Sequence, residues 1–122
     1  MKKIFTVVFS ILLVFSVTVS AAAISPKATN RVDTTIPPES IVRVGTPLSM
    51  AYDEAVTISC SYSPRMADMD FGILTPRNTF IFVEAKNGAC NQTIQISETG
   101  TYYFAVRNNT NGPVEVLGYV YY

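Results

Sequence analysis

The sequence predicts an all-β chain: an antiparallel β-sandwich, jelly-roll or immunoglobulin-like, of about seven or eight strands closed by one disulfide. Three observations carry that expectation. Short runs rich in β-branched and aromatic residues alternate with turn signals at intervals of about eight to twelve residues. No window holds a 3.6-residue apolar period over a useful length. Several runs alternate apolar with hydroxylated residues, as a strand does when one face meets a core and the other meets water.

The first residues set the compartment. Lys2-Lys3 precede an apolar run from Ile4 to Val19, broken only by Thr6, Ser10, Ser16 and Thr18, and the run ends in Ser20-Ala21-Ala22-Ala23. A positive start, a short apolar stretch and an A-x-A triplet are the marks of an export signal, here residues 1–23. Cleavage through Val19-Ser20-Ala21 is a second option. The 99 residues after Ala23 suffice for one domain and not two. They carry seven Lys and Arg against nine Asp and Glu, a net charge of about −2, which argues against a nucleic-acid partner. No cysteine stands directly after the cleavage site to accept a lipid and no apolar tail ends the chain, so no stable membrane anchor is expected after cleavage.

Residues 24–38, rich in Pro, Thr and charge, read as a flexible lead or one edge strand at most. The sandwich is expected over 39–122. Ser40 to Val44 and Leu48 to Ala51 form early strands around Gly45-Thr46-Pro47. Val56, Ile58, Cys60 and Tyr62 then alternate with Thr57, Ser59 and Ser61, one face apolar and the other hydroxylated. Met69, Phe71 and Ile73 share a face opposite Asp68, Asp70 and Gly72 before Thr75-Pro76-Arg77-Asn78 turns the chain. Phe80 and Phe82 follow, and Lys86-Asn87-Gly88-Ala89 carries the Asn-Gly pair of a tight hairpin. Cys90, Gln92, Ile94 and Ile96 form the returning face, Thr101 to Arg107 the next strand, and Asn108 to Pro113 the last turn. Val114 to Tyr122 is nearly all apolar or aromatic, which suggests a central strand buried on both faces, with Gly118 at a bulge.

Cys60 and Cys90 fall in the exported part, where thiols pair, so a disulfide bridging the core is expected. Closing a loop of about 30 residues would stabilise the fold by roughly 3 to 4 kcal/mol in the chain-entropy model. A reactive thiol or a metal-bound cysteine would want a His partner, and the chain has no His.

Glu98-Thr99-Gly100-Thr101-Tyr102-Tyr103-Phe104-Ala105-Val106 and Val56-Thr57-Ile58-Ser59-Cys60 resemble the corner and first cysteine strand of immunoglobulin-type sandwiches. Phe104 stands where that family's second cysteine would fall, no Trp is present, and Cys90 lies one strand early. Gly100 to Asn108 and Val114 to Val120 resemble the Gly-x-Tyr strand, Asn-rich turn and final strand of bacterial pre-peptidase C-terminal domains. The region from about Ser40 also resembles small uncharacterised secreted β proteins of Gram-positive bacteria. These resemblances imply an accessory or binding role without catalysis.

Chemistry is sparse. Without His there is no Ser-His-Asp or Cys-His site. Asp68 and Asp70 share a strand face at a backbone separation of about 7 Å, a spacing used by carboxylate pairs. With Asp53, Glu54 or a turn carbonyl they would suit calcium, the one cofactor the sequence suggests. The seven tyrosines offer flat aromatic surface for a sugar or a protein. Tyr103, Tyr119 and Tyr121 are expected on one face opposite Tyr102 and Tyr122, the competing use being to fill the core. Asn91-Gln92-Thr93 and Asn108-Asn109-Thr110 match the glycosylation triplet and are read as strand and turn residues. The sequence therefore suggests a secreted, monomeric, non-enzymatic binding or accessory domain for an extracellular protein or polysaccharide. Its alternative is a structural or assembly protein of an envelope or matrix, adding its last strand or its N-terminal lead to a neighbour.

Overall fold

The computed structural model describes residues 27–122. The export segment and the start of the lead lie outside the described residues.

Among the described residues the chain forms nine strand segments: β1 (Thr29–Ile36), β2 (Ser40–Arg43), β3 (Leu48–Met50), β4 (Ala55–Ser63), β5 (Met69–Leu74), β6 (Phe80–Glu84), β7 (Ala89–Gln95), β8 (Gly100–Asn108) and β9 (Val114–Tyr121). Four make one sheet in the order β1-β9-β4-β7, and five make the other in the order β2-β8-β5-β6, with β3 also paired to β8. Every ladder is antiparallel. β2 and β3 lie end to end along one side of β8, interrupted where Gly45 takes a φ of 83°, so nine segments occupy eight lanes. Only the β5–β6 turn joins neighbours in a sheet; the other connections out of these lanes cross from sheet to sheet. That is the order of a jelly roll, the first of the two arrangements expected, and the immunoglobulin-like order does not describe it.

The sandwich is held by the two inner faces. Val56, Ile58, Cys60 and Tyr62 of β4, with Val114, Val116 and Val120 of β9, meet Met69, Phe71 and Ile73 of β5 and Tyr102, Phe104 and Val106 of β8. Phe71 packs between Tyr62 at 5.7 Å and Phe104 at 6.4 Å, centroid to centroid. Each fully buried side chain of this size contributes about 1.5 to 3 kcal/mol. The β5–β6 turn is built by Thr75, whose Oγ1 accepts from the Arg77 and Thr79 N–H groups, and by Asn78 at a φ of 65°.

One buried polar side chain ties the crossings together. Asn108, fully buried at the end of β8, donates through Nδ2 to Ile36 O at 3.1 Å, Pro37 O at 3.2 Å and Gly112 O at 2.8 Å. Its Oδ1 accepts from the N–H and hydroxyl of Thr110. A single carboxamide thus fastens the exit of β1 to the β8–β9 turn.

Several expectations need correcting. Between the flexible lead and the edge strand left open for residues 24–38, the described part is an edge strand: β1 pairs with β9 over its whole length and places Val32 and Ile36 in the core. The domain therefore begins before residue 39. β9 is central, but only its inner side is buried; Leu117 and Tyr119 face out, 44% and 45% exposed. A sandwich sheet has water on one face, so a strand rich in apolar residues need not be covered twice. The strand buried on both sides is β5, because β6 side chains and Arg107 cover its outer face. Gly118 marks no bulge, since the β9–β4 register runs unbroken through it. It takes a φ of 150°, and a Cβ there would stand 2.2 Å from Ser59 O of β4. The Asn87-Gly88 turn forms, at φ 58° and 83°, but makes a single bridge, Lys86 to Ala89, before β6 and β7 part into different sheets. Turn chemistry sets the bend, and burial of the two strands' apolar faces sets where each goes.

The expected disulfide is not present. Cys60 and Cys90 are buried free thiols, directly opposite one another on β4 and β7 of one sheet, not facing each other across the core. The Tyr62 N–H donates to Gly88 O at 2.8 Å. By antiparallel alternation this places Cys60 and Cys90 at a hydrogen-bonded pair, where side chains stand further apart than at the intervening positions. Burial pushes the Cys60 thiol from 9.0 up to about 12, with the neighbouring Cys90 adding to the effect, and pushes Cys90 up to about 11.

Two outcomes follow from this architecture. Asn108→Ala leaves three carbonyl oxygens without their partner and is expected to cost about 3 kcal/mol, read as a lowered urea midpoint, against less than about 0.5 kcal/mol for exposed Asn111→Ala. The thiols stay protonated in the folded chain where they ionise in the unfolded one, so their contribution is full below pH 9.0 and is lost as pH rises toward the folded values of about 11 and 12. The urea midpoint is expected to fall between pH 9 and 11 more steeply than in a Cys60→Ala/Cys90→Ala variant. Equal slopes in the two proteins would show that the thiols ionise as readily folded as unfolded.

Candidate functional site

The outer face of the four-stranded sheet is laid out by simple alternation. Val114, Val116, Gly118 and Val120 of β9 point inward, so Glu115, Leu117, Tyr119 and Tyr121 point out. The same rule turns Thr57, Ser59 and Ser61 of β4 outward, the hydroxylated face legible in the sequence. Register then sets the rows. Tyr121 stands between Thr29 and Thr57, with Thr93 beyond; Tyr119 stands between Arg31 and Ser59, with Asn91 beyond. Leu117 stands between Asp33 and Ser61.

The two tyrosine rings lie side by side, 6.2 Å between centroids and 29° between planes. Their polar neighbours are already organised. The Thr57 and Thr93 hydroxyls are 3.0 Å apart, Ser59 Oγ donates to Asn91 Oδ1 at 3.1 Å, and Arg31 reaches Asp33 at 3.5 Å. The result is an aromatic strip bordered by hydroxyl and amide groups that can each exchange hydrogen bonds with a ligand. Thr57, Thr93, Ser59, Asn91 and Arg31 are not legible as a site in the sequence. The alternation along 56–62 turns Thr57 and Ser59 outward, and Asn91 and Thr93 stand out only as a glycosylation triplet, because their convergence depends on which strands pair.

Tyr103 does not join this face. β8 and β9 are consecutive in sequence but lie in different sheets, so Tyr103 is on the opposite outer surface, half-buried beneath Arg43, whose Cζ is 4.3 Å from the ring centroid. Tyr62 and Tyr102 are buried, as the core-filling alternative requires. Tyr102 donates its hydroxyl to Glu98 O.

The Asp68 and Asp70 pair has a different setting from the one expected. Asp70 is buried, 3% exposed, and its Oδ2 accepts from Arg107 Nε at 2.9 Å and Asn109 Nδ2 at 2.8 Å while Arg107 Nη2 lies at 2.7 Å. Asp68 is exposed, and its Oδ1 lies at 3.5 Å from the same Asn109 amide. The Arg107 and Asn109 contacts all fall on the one oxygen Oδ2 of Asp70. Asp53 and Glu54 lie elsewhere: Asp53 accepts from Gln95 at 2.7 Å and Glu54 from Lys27 at 2.8 Å. The Lys27 hydrogen bond, with one from the Ala51 N–H, holds the Glu54 carboxyl below its ordinary value. Among the described residues no three His, Cys, Asp or Glu side chains come together as a metal site. No helix of the described residues is long and apolar enough to cross a membrane. Of the two Asn-x-Thr triplets, one places Asn91 and Thr93 on the outer face, while the other begins at buried Asn108.

No protein-family model matches the chain, and no curated protein matches it. Among solved structures it is similar to the carbohydrate binding module CBM6cm-2 from Cellvibrio mixtus lichenase 5A in complex with cellotriose, at 14% identity over 80% of this chain and 88% of that one, with a TM-score of 0.43.

Proposed function

We propose that this chain is an exported, non-enzymatic binding protein that holds a polysaccharide on the outer face of its four-stranded sheet. The observation that carries the reading is the Tyr119–Tyr121 strip at 6.2 Å with hydroxyl and amide rows beside it. An aromatic ring offers an apolar, polarised face to the C–H side of a sugar ring, and the neighbouring Thr, Ser and Asn groups exchange hydrogen bonds with its hydroxyls. A protein partner fits less well. The centres of protein interfaces are depleted in Ser and Ala, whereas Ser59, Ser61 and Ala89 stand in these rows. Export is supported by the residues 1–23 pattern, and the absence of His disfavours the common nucleophilic hydrolases.

The assembly alternative loses one of the two segments invoked for it: β9, the last strand, has β1 on one side and β4 on the other. β1, from the N-terminal lead, is an edge strand paired by β9 along one side, and its other edge is the place where strand addition would act.

Retention on insoluble polysaccharides of differing linkage, including cellulose, chitin and xylan, is the test. The full-length mature protein is expected to be retained on at least one, with Tyr119→Ala and Tyr121→Ala each weakening binding about threefold to tenfold. Tyr52→Ala, at an exposed turn away from the strip, is expected to change nothing. Retention that survives the Tyr119→Ala/Tyr121→Ala double variant, or no retention on any polysaccharide, would sink the reading.

A further inference from the structure

Two arginines stand on the outer face of the five-stranded sheet, and their surroundings differ. Arg107 is neutralised: it pairs with buried Asp70 at 2.7 Å and lies over Phe80 and Phe82, at 5.2 and 4.4 Å from the ring centroids. Arg77, at the nearby turn, is also paired, to Glu98 through two contacts of 2.8 Å. Arg43 is not paired. Among the described residues no Asp or Glu oxygen lies within 4.0 Å of its guanidinium.

Arg43 is nevertheless held in place from two sides. Its Cζ sits 4.3 Å from the Tyr103 ring centroid, and its Nη2 donates to Asn78 Oδ1 at 3.3 Å. Asn78 is itself held by the β5–β6 turn, its N–H donating to Thr75 O at 2.8 Å. A guanidinium carries five N–H donors in one plane, and among the described residues this one spends a single donor on the protein. An arginine side chain already held in place has less rotamer entropy left to lose when a ligand arrives. The charge opens on a cavity of about 360 Å³, lined also by Leu74, Thr75 and exposed Thr101. That volume is at the small end for a ligand site and suits one sugar residue.

We propose that Arg43, Asn78, Tyr103 and Thr101 form a second binding site, for the carboxylate of an acidic sugar residue such as a uronate within a polysaccharide. A carboxylate accepts two parallel N–H bonds from a guanidinium, the geometry that distinguishes arginine from lysine as a partner. The Thr101 hydroxyl and the Asn78 Nδ2 supply further groups for ring hydroxyls. A peptide C-terminus offers the same carboxylate but usually docks by strand addition or into an apolar pocket. Here the cavity walls are hydroxyl, amide and guanidinium groups as much as apolar ones. The site is separate from the tyrosine strip, because the two outer faces belong to opposite sheets.

The test is an NMR titration of the mature protein with trigalacturonate, its methyl ester, and an N-acetylated tripeptide with a free C-terminus. Trigalacturonate is expected to shift the resonances of Arg43, Asn78, Thr101 and Tyr103. The uncharged ester is expected to bind at least tenfold more weakly. Arg43→Gln should remove the response, Arg43→Lys should weaken it at least threefold, and Tyr119→Ala/Tyr121→Ala should leave it unchanged. The proposal is overturned if acid and ester bind alike, if Arg43→Gln binds as the parent does, or if no shifts appear at millimolar ligand. Equal affinity for the tripeptide would overturn the sugar assignment in favour of a peptide. Loss of trigalacturonate binding in the tyrosine double variant would move the acidic ligand to the other face, leaving the strip intact and this site refuted. Acid against ester is measured on the unaltered protein, so the conclusion survives a variant that fails to fold.

Discussion

The jelly roll asks the chain to leave one sheet and enter the other at almost every turn, and the buried carboxamide of Asn108 secures two of those crossings at once. Three main-chain carbonyls, Ile36, Pro37 and Gly112, converge on its Nδ2. Each would otherwise be a poorly solvated acceptor near the core, with the desolvation cost that implies. No apolar residue can do this, since the groups to be satisfied are backbone oxygens from two different crossings. With β1 fastened at its exit and β9 aimed from the same point, the β1–β9 ladder starts in the register that carries Val32 and Ile36 inward. The hydroxyl and aromatic rows of the outer face inherit that register.

A sandwich has one interior and two exteriors, and here the two exteriors have separate chemistry. The four-stranded sheet shows tyrosines among Thr, Ser and Asn, with little uncompensated charge. The five-stranded sheet shows Phe80 and Phe82 stacked at 5.0 Å under a neutralised arginine, and Tyr103 under an arginine that is not neutralised. Both surfaces use the same device, an aromatic ring on a rigid strand with polar groups placed by cross-strand pairing. Strand positions are more exact than loop positions, because the ladder on each side fixes the backbone. The inner face of β9 contributes by being small: Gly118 lets the strand lie close to β4 at Cys60, where a Cβ would meet Ser59 O.

Much of the candidate site was legible residue by residue and not as an arrangement. Tyr119 and Tyr121 alternate with Gly118 and Val120, so their shared face could be read from period two. Thr57, Ser59 and Ser61 could be read as an outer face in the same way. Their being neighbours of the tyrosines could not, because β4 and β9 are separated by four other strand segments and pair only in the folded sheet. Tyr103 was grouped with Tyr119 and Tyr121 on the assumption that consecutive strands pair, and the jelly roll breaks that assumption between β8 and β9. Asp70 carries the same lesson with charge: its buried partner, Arg107, is 37 positions away. Nothing local marks the carboxylate as the covered one.

The sequence by itself determined where strands run, which side of most of them is apolar, and that the chain must be a two-layer β fold. Those properties depend on spacings of two residues and on turn chemistry, which are local. Only the tertiary structure decided the jelly-roll order, the free state of Cys60 and Cys90, the sheet to which each aromatic belongs, and that, among the described residues, Arg107 is paired while Arg43 on the same face is not. Each of these depends on which distant segments share a ladder, and a ladder records backbone hydrogen bonding between strands whose side-chain patterns are much alike.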